Sequence, residues 1–196
     1  MNLPPAVAAL LTLACFVSGS LMFSYWLGRL RGVDIRRGTD GNPGAVSAMK
    51  RAGRAVGVAG LLLDFLKAFL PLFFITQKFG LGQVLLVPIA AAPVFGHCFS
   101  PFLNFRGGKG IAATFGIWSG LTLWEGPTVL GLSFVLFKIV FRIRNDALSV
   151  MLGMFCLLGY TVIRFANPVL IGVCLLNFAV LLVRHWPILK PRPVPR

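Results

Sequence analysis

The residues best suited to chemistry lie between Gly96 and Gly110, in the run GHCFSPFLNFRGGKG. One of only two histidines, His97, stands there with Arg106 and Lys109, and Gly107, Gly108 and Gly110 surround the cations. Glycine lets backbone N–H groups approach a ligand closely, and the cations match phosphate oxygens, so the run reads as a loop that cradles phosphate. It is not a nucleotide-binding P-loop, because Leu103 stands where the first glycine is required and Gly110 follows the lysine in place of Ser or Thr. The competing reading is a basic turn that anchors two helices to anionic lipid.

Everything around this loop is apolar. Across 196 residues the mean hydropathy is +0.86, with 57% hydrophobic and 12% charged residues. Soluble domains carry about 25% charged residues, so the chain is read as an all-α integral membrane protein. Seven apolar runs are expected as spans: Leu3 to about Leu27, Val56 to Gln77, Leu81 to Phe95, Ile111 to Trp124, Pro127 to Phe141, Ala147 to Ile163, and Pro168 to Val183. The first has no basic n-region and is taken as a retained helix. Residues 1–185 form one transmembrane domain in this reading, and 186–196 a basic, proline-rich, extended tail.

The net charge of +14 reflects only five acidic residues. Sixteen of the nineteen Lys and Arg fall in alternate connections or the tail, which predicts the N-terminus outside and the C-terminus and glycine-rich loops in the cytoplasm. Topology therefore explains the basicity without a nucleic-acid partner. The four cysteines show no metal-ligand spacing, and no metal or cofactor is expected.

Other polar residues support the loop. The connection from Asp34 to Arg54 is dense in turn residues and should fold compactly, with Arg36, Gly41, Asn42, Gly44 and Lys50 offered to an anion. Asp64 and Lys67, three residues apart in span two, share a helical face and are expected to form an ion pair that pins this span to its neighbours. His185 closes the last span on the same side as His97, and Arg144 supplies Asp146 with a neighbouring partner.

Taken together, these motifs resemble one family. Gly19-Ser20, the DIR run Asp34 to Arg36, the GN-x-GA run Gly41 to Ala45, LDFLK around Asp64, the loop from Gly96 to Ala112 and the closing Arg184-His185 are similar to the bacterial membrane acyl-phosphate:glycerol-3-phosphate acyltransferases. The resemblance implies an inner-membrane enzyme that moves an acyl group from acyl phosphate to the sn-1 hydroxyl of glycerol 3-phosphate. Lysophosphatidic acid and phosphate would be its products, in phospholipid biosynthesis. It implies His97 and Lys109 as catalytic residues and Arg36, Gly41, Asn42, Gly44, Lys50, Arg106, Gly107, Gly108, Gly110 and His185 around the phosphates, with Ser20, Asp34, Asp64 and Lys67 in support. The chain departs from the family pattern at Thr39-Asp40, Val46-Ser47, Lys50, Ala147 to Val150 and Trp186 to Ile188. A relative with another phosphorylated acceptor, a non-catalytic lipid-binding protein and a small transporter are the alternatives; the last lacks an inverted repeat.

Overall fold

The computed structural model describes residues 3–37 and 41–189, and no strand occurs among them. The order is α1 (Pro5–Ser20), α2 (Phe23–Leu30), α3 (Ala45–Ala52), α4 (Arg54–Phe79), α5 (Leu86–Cys98), α6 (Ile111–Thr122), α7 (Glu125–Val135), α8 (Asp146–Tyr160) and α9 (Pro168–Leu189). Short π-helical turns extend α7 through Val140 and α8 through Phe165. Five helical segments are long and apolar enough to cross a membrane: Pro5–Leu30, Arg54–Phe79, Leu86–Leu103, Asp146–Phe165 and Pro168–Leu189. α6 is a shorter apolar helix of 12 residues.

Three expectations are corrected. The first apolar run is not one uninterrupted helix, because the chain leaves helical geometry at Leu21 and Met22. The third helix starts at Leu86 and ends at Cys98, so His97 lies in its last turn and not in a loop. α9 runs to Leu189, making 186–189 helical: Trp186, Ile188 and Leu189 continue its apolar character, with Pro187 inside the helix at the expense of the bond its N–H would make. The rest of the expected tail, 190–196, and the Thr39-Asp40 departure lie outside the described residues.

The break in the first segment is held by α4. Lys67 Nζ donates to the Leu21 carbonyl and stands 2.7 Å from Asp64 Oδ1, completing the expected ion pair. Asp64 Oδ2 accepts from Ser24 Oγ at 2.6 Å and from the Ser24 N–H at 3.4 Å, in the first turn of α2. A cation thus meets the carbonyl end of α1 and an anion the amide end of α2, as the two helix dipoles favour. The Ser20 carbonyl receives Ser100 Oγ at 2.7 Å, which ties the break to the segment after α5.

Close approach of α1 and α5 fixes the same region from the other side. A Cβ on Gly19 would lie 2.2 Å from the Pro93 carbonyl oxygen, and one on Gly96 would lie 2.2 Å from that of Phe16. Small residues at such crossings are how apolar helices pack tightly within lipid.

Removing one member of a buried ion pair strands the other. Lys67→Met should lower stability in detergent by about 3–5 kcal/mol, read by thermal unfolding. The double variant Asp64→Leu/Lys67→Met should recover part of that loss.

Candidate active site

The glycine loop is built as a strut. The N–H groups of Gly107 and Gly108 donate to the Cys98 and His97 carbonyls at 3.2 and 2.9 Å, closing the end of α5. From α9, Arg184 donates in turn to the Gly108 carbonyl through Nε at 3.1 Å and to the Gly107 carbonyl through Nη2 at 2.6 Å. These two peptide groups are committed to protein partners, which corrects the expectation that they cradle phosphate. The glycines are needed for another reason: a Cβ on Gly107 would fall 2.0 Å from the His97 carbonyl oxygen, and one on Gly108 would fall 2.2 Å from His97 Nε2.

Beyond the strut lies a cavity of about 1470 Å³, lined from α3, α4, α5, α6, α7, α8 and α9 and the connections at their ends. Of the residues expected at the site, Asn42, Gly44, Lys50, Asp64, His97, Lys109, Gly110 and His185 line it. Gly110, at φ +83°, turns the chain from the strut into α6 and accepts the Thr114 N–H at 2.8 Å.

The other expected residues stand behind the wall. Arg106 is exposed and outside the cavity lining, as is Gly41, which holds a left-handed turn at φ +60°. Arg36 is gripped in a fork by Asp34, Nε to Oδ1 and Nη2 to Oδ2, both at 3.2 Å, and its guanidinium lies 4.5 Å from the centre of the Tyr25 ring. Hydrogen bonding from Arg36 holds the Asp34 carboxyl below the usual carboxylate range, and Asp34 raises Arg36 in return. The pair's contribution is therefore complete above the ordinary carboxylate pKa and fades only as pH falls through the lowered one. Arg36 ties the turn after α2 back to Tyr25 of α2 and lies outside the cavity. Ser20 and Lys67 belong to the α1–α2 break.

Sequence reasoning left several lining residues out of the site: Ser47, Arg51, Lys138, Arg144, Asn145, Asp146 and Ser149. Their signal was the excess of bases in the connection before α8, which positive-inside topology already explained. Asp146 is paired with Lys138 and not with the adjacent Arg144. Lys138 sits at the end of α7, close enough to Asp146 in α8 to bridge the two helices. Lys50, Arg51, Lys109, Lys138 and Arg144 line the cavity against the carboxylates of Asp64 and Asp146, so cations dominate it.

Two helix N-termini add to this field. α3 and α6 begin at Gly44 and Gly110 without a side-chain cap, and the residues of both first turns line the cavity. Uncapped first-turn N–H groups suit anions. His185 faces the same space from α9. Its Nδ1 lies 2.8 Å from the Leu181 carbonyl, an acceptor, so Nδ1 carries the proton and Nε2 holds a lone pair with no protein partner. His97 Nδ1 is likewise buried without a hydrogen bond. No cluster of three or more His, Cys, Asp or Glu among the described residues could hold a metal ion.

Comparison with known proteins decides the family. The family model described as glycerol-3-phosphate acyltransferase matches residues 9–190. The chain belongs to that family. It is 39% identical over 182 residues to glycerol-3-phosphate acyltransferase 1 of Thermotoga maritima, covering 87% of this chain and 90% of that one. The Geobacter sulfurreducens glycerol-3-phosphate acyltransferase is 31% identical over 176 residues, covering 90% and 89%. Among solved structures, the glycerol 3-phosphate form of PlsY (YgiH), an integral membrane glycerol 3-phosphate acyltransferase, superposes with a TM-score of 0.81 at 27% identity, covering 92% of this chain and 88% of that one. Its lysophosphatidic acid form gives 0.79. The protein is a membrane acyltransferase of this family.

The strut makes a sharp demand on Gly108. Gly108→Ala must displace the His97 ring, and a shift near 1 Å in a positioned group costs about 100-fold in rate. We expect that loss in kcat/KM together with a stability loss of about 1–3 kcal/mol, read by thermal unfolding.

Proposed function

We propose that this acyltransferase moves an acyl group from an acyl phosphate to the sn-1 hydroxyl of glycerol 3-phosphate, giving lysophosphatidic acid and inorganic phosphate. The observation that carries this reading is the mixed lining of a single cavity. Asn42, Lys50, Lys109, His97 and His185 line it together with the apolar Leu61, Leu62, Phe65, Phe115, Phe134 and Val150. Two phosphates and one long apolar tail are what such a space accommodates. The solved relative is known in a glycerol 3-phosphate form and a lysophosphatidic acid form, the acceptor and product of this reaction.

In the transfer, the acceptor oxygen bonds to the acyl carbon, the bond from that carbon to the phosphate oxygen breaks, and the hydroxyl proton leaves. His185 Nε2, with its tautomer fixed through Leu181, accepts the proton. Lys109 and the α6 N-terminus stabilise the departing phosphate, while Asn42, Lys50 and the α3 N-terminus hold the acceptor phosphate. His97 supports the turn that presents Lys109, its ring against Gly108. No cofactor takes part.

The same reading gives seven passages, N-terminus out, in the bacterial inner membrane. The cavity collects the first half of α4, the end of α5, the start of α6, the end of α7, the start of α8 and the end of α9. Helices that alternate in this way bring their basic ends to one face, which positive-inside bias puts in the cytoplasm.

Phosphate release from acyl phosphate in the presence of glycerol 3-phosphate tests the reaction. Wild type should release phosphate only when both substrates are present. Lys109→Ala should lower kcat by about 100- to 1,000-fold, and His185→Ala should flatten the acid limb of the pH–rate profile. Consumption of neither substrate would leave only a lipid-binding protein.

A further inference from the structure

α9 is short of a helix bond where it carries His185. Pro187 has no N–H, so the Val183 carbonyl loses the bond it would otherwise accept. The last four carbonyls of a helix, Ile188 among them here, have no partner within it. Ties from outside bracket this turn. Arg184, just before His185, grips the strut, and one turn later Asn145 Nδ2 donates to the Ile188 carbonyl at 3.2 Å.

Asn145 reaches that carbonyl from the start of α8 and is itself fixed. Its Oδ1 accepts the Ala147 and Leu148 N–H groups at 2.9 and 3.3 Å, capping α8. Lys138 clasps the connection before it, donating to the Ile143 and Arg144 carbonyls at 3.1 and 3.5 Å and pairing with Asp146. One side-chain amide thus joins the first turn of α8 to the last turn of α9. The same device recurs at the other end of α9. There Asn167 Oδ1 accepts the Val169 and Leu170 N–H groups at 2.9 and 3.3 Å, and its Nδ2 donates to the Leu81 carbonyl at 3.4 Å. Asn145 lines the cavity beside His185; Asn167 does not.

We propose that Asn145 is a positioning residue for the transfer: through the Ile188 carbonyl it holds the last turn of α9, and with it the direction in which His185 Nε2 faces the cavity. This rests on the reading that His185 accepts the hydroxyl proton. Leu181 fixes the imidazole tautomer from within the helix, and Asn145 fixes the turn from outside it.

The test measures kcat and both KM values for phosphate release from hexadecanoyl phosphate with glycerol 3-phosphate. Serine caps a helix about as well as asparagine but is too short to reach Ile188, so Asn145→Ser removes the tie and keeps the cap. It should lower kcat about tenfold with both KM values within about twofold of wild type, as expected of a displaced catalytic group. Asn145→Asp, which caps but cannot donate, should show the same loss in kcat. Asn167→Ser loses a tie of the same kind while keeping its cap, and should retain the wild-type kcat. In a His185→Ala background, Asn145→Ser should cost nothing further. A wild-type kcat in both Asn145 variants overturns the proposal, as does an undiminished loss in the His185→Ala background. A raised KM with kcat retained makes Asn145 a substrate contact and overturns it too. Wild-type turnover by His185→Ala alone overturns the reading of His185, and the positioning role falls with it.

Discussion

The structure depends on one ion pair placed where a helix stops inside apolar surroundings. Main-chain groups exposed by a break have no water to turn to, and each unsatisfied one costs several kcal/mol in hydrocarbon. Asp64 and Lys67 meet that need from both directions, the cation on the Leu21 carbonyl and the anion on the Ser24 amide and hydroxyl. Both side chains are almost wholly buried, at 1% and 2% exposure, so neither is tolerable alone. The break and the pair stabilise each other. Asp64 also lines the cavity, which makes the same pair part of the wall beside His97.

From this fixed point the site is assembled through carbonyls. Ser100 reaches the Ser20 carbonyl, Gly107 and Gly108 close the carbonyls of α5, and Arg184 takes the carbonyls of those two glycines. The chain of contacts runs from α1 through α5 and the strut to α9. Arg184 and His185 are adjacent in sequence, yet one grips the strut and the other is turned to the cavity. Lys109 is thereby presented from a segment whose neighbours on the N-terminal side are immobilised, which in the proposed reaction limits the reorganisation needed around a phosphate.

Much of this was legible in the sequence, and what escaped did so for physical reasons. Hydropathy marked the helices, and helical spacing brought Asp64 and Lys67 together, because both signals are local. The roles of Gly107 and Gly108 were misread, since glycine beside cations suits a phosphate cradle and a tight strut equally well. Only the partners of those amides separate the two. Arg36 and Arg106 were counted toward the site on charge and on the family motifs that hold them, and neither reveals direction. Gly19-Ser20 carried a faint signal of the break, but an apolar run of that length gives no reason to expect one until Lys67 is seen reaching for Leu21. Lys138 and Ser149 sit in the site through the pairing of α7 with α8, which no local pattern encodes.

The polar and apolar linings of the cavity meet at α6. Its 12 residues give about 18 Å of helix, against about 39 Å for the 26 residues of α4 and about 33 Å for the 22 of α9. Beside the longer α4 and α9, the start of α6 forms part of the cavity wall. Lys109, Gly110 and the uncapped first turn are carried into that wall, where positive charge would be costly without the polar lining from α3 and α8. An acyl group whose tail stays among lipid side chains holds its carbonyl below the headgroups, out of reach of donors placed on a surface loop. In the proposed reaction, phosphate-binding groups carried at the start of this short helix are the ones that can meet such a carbonyl.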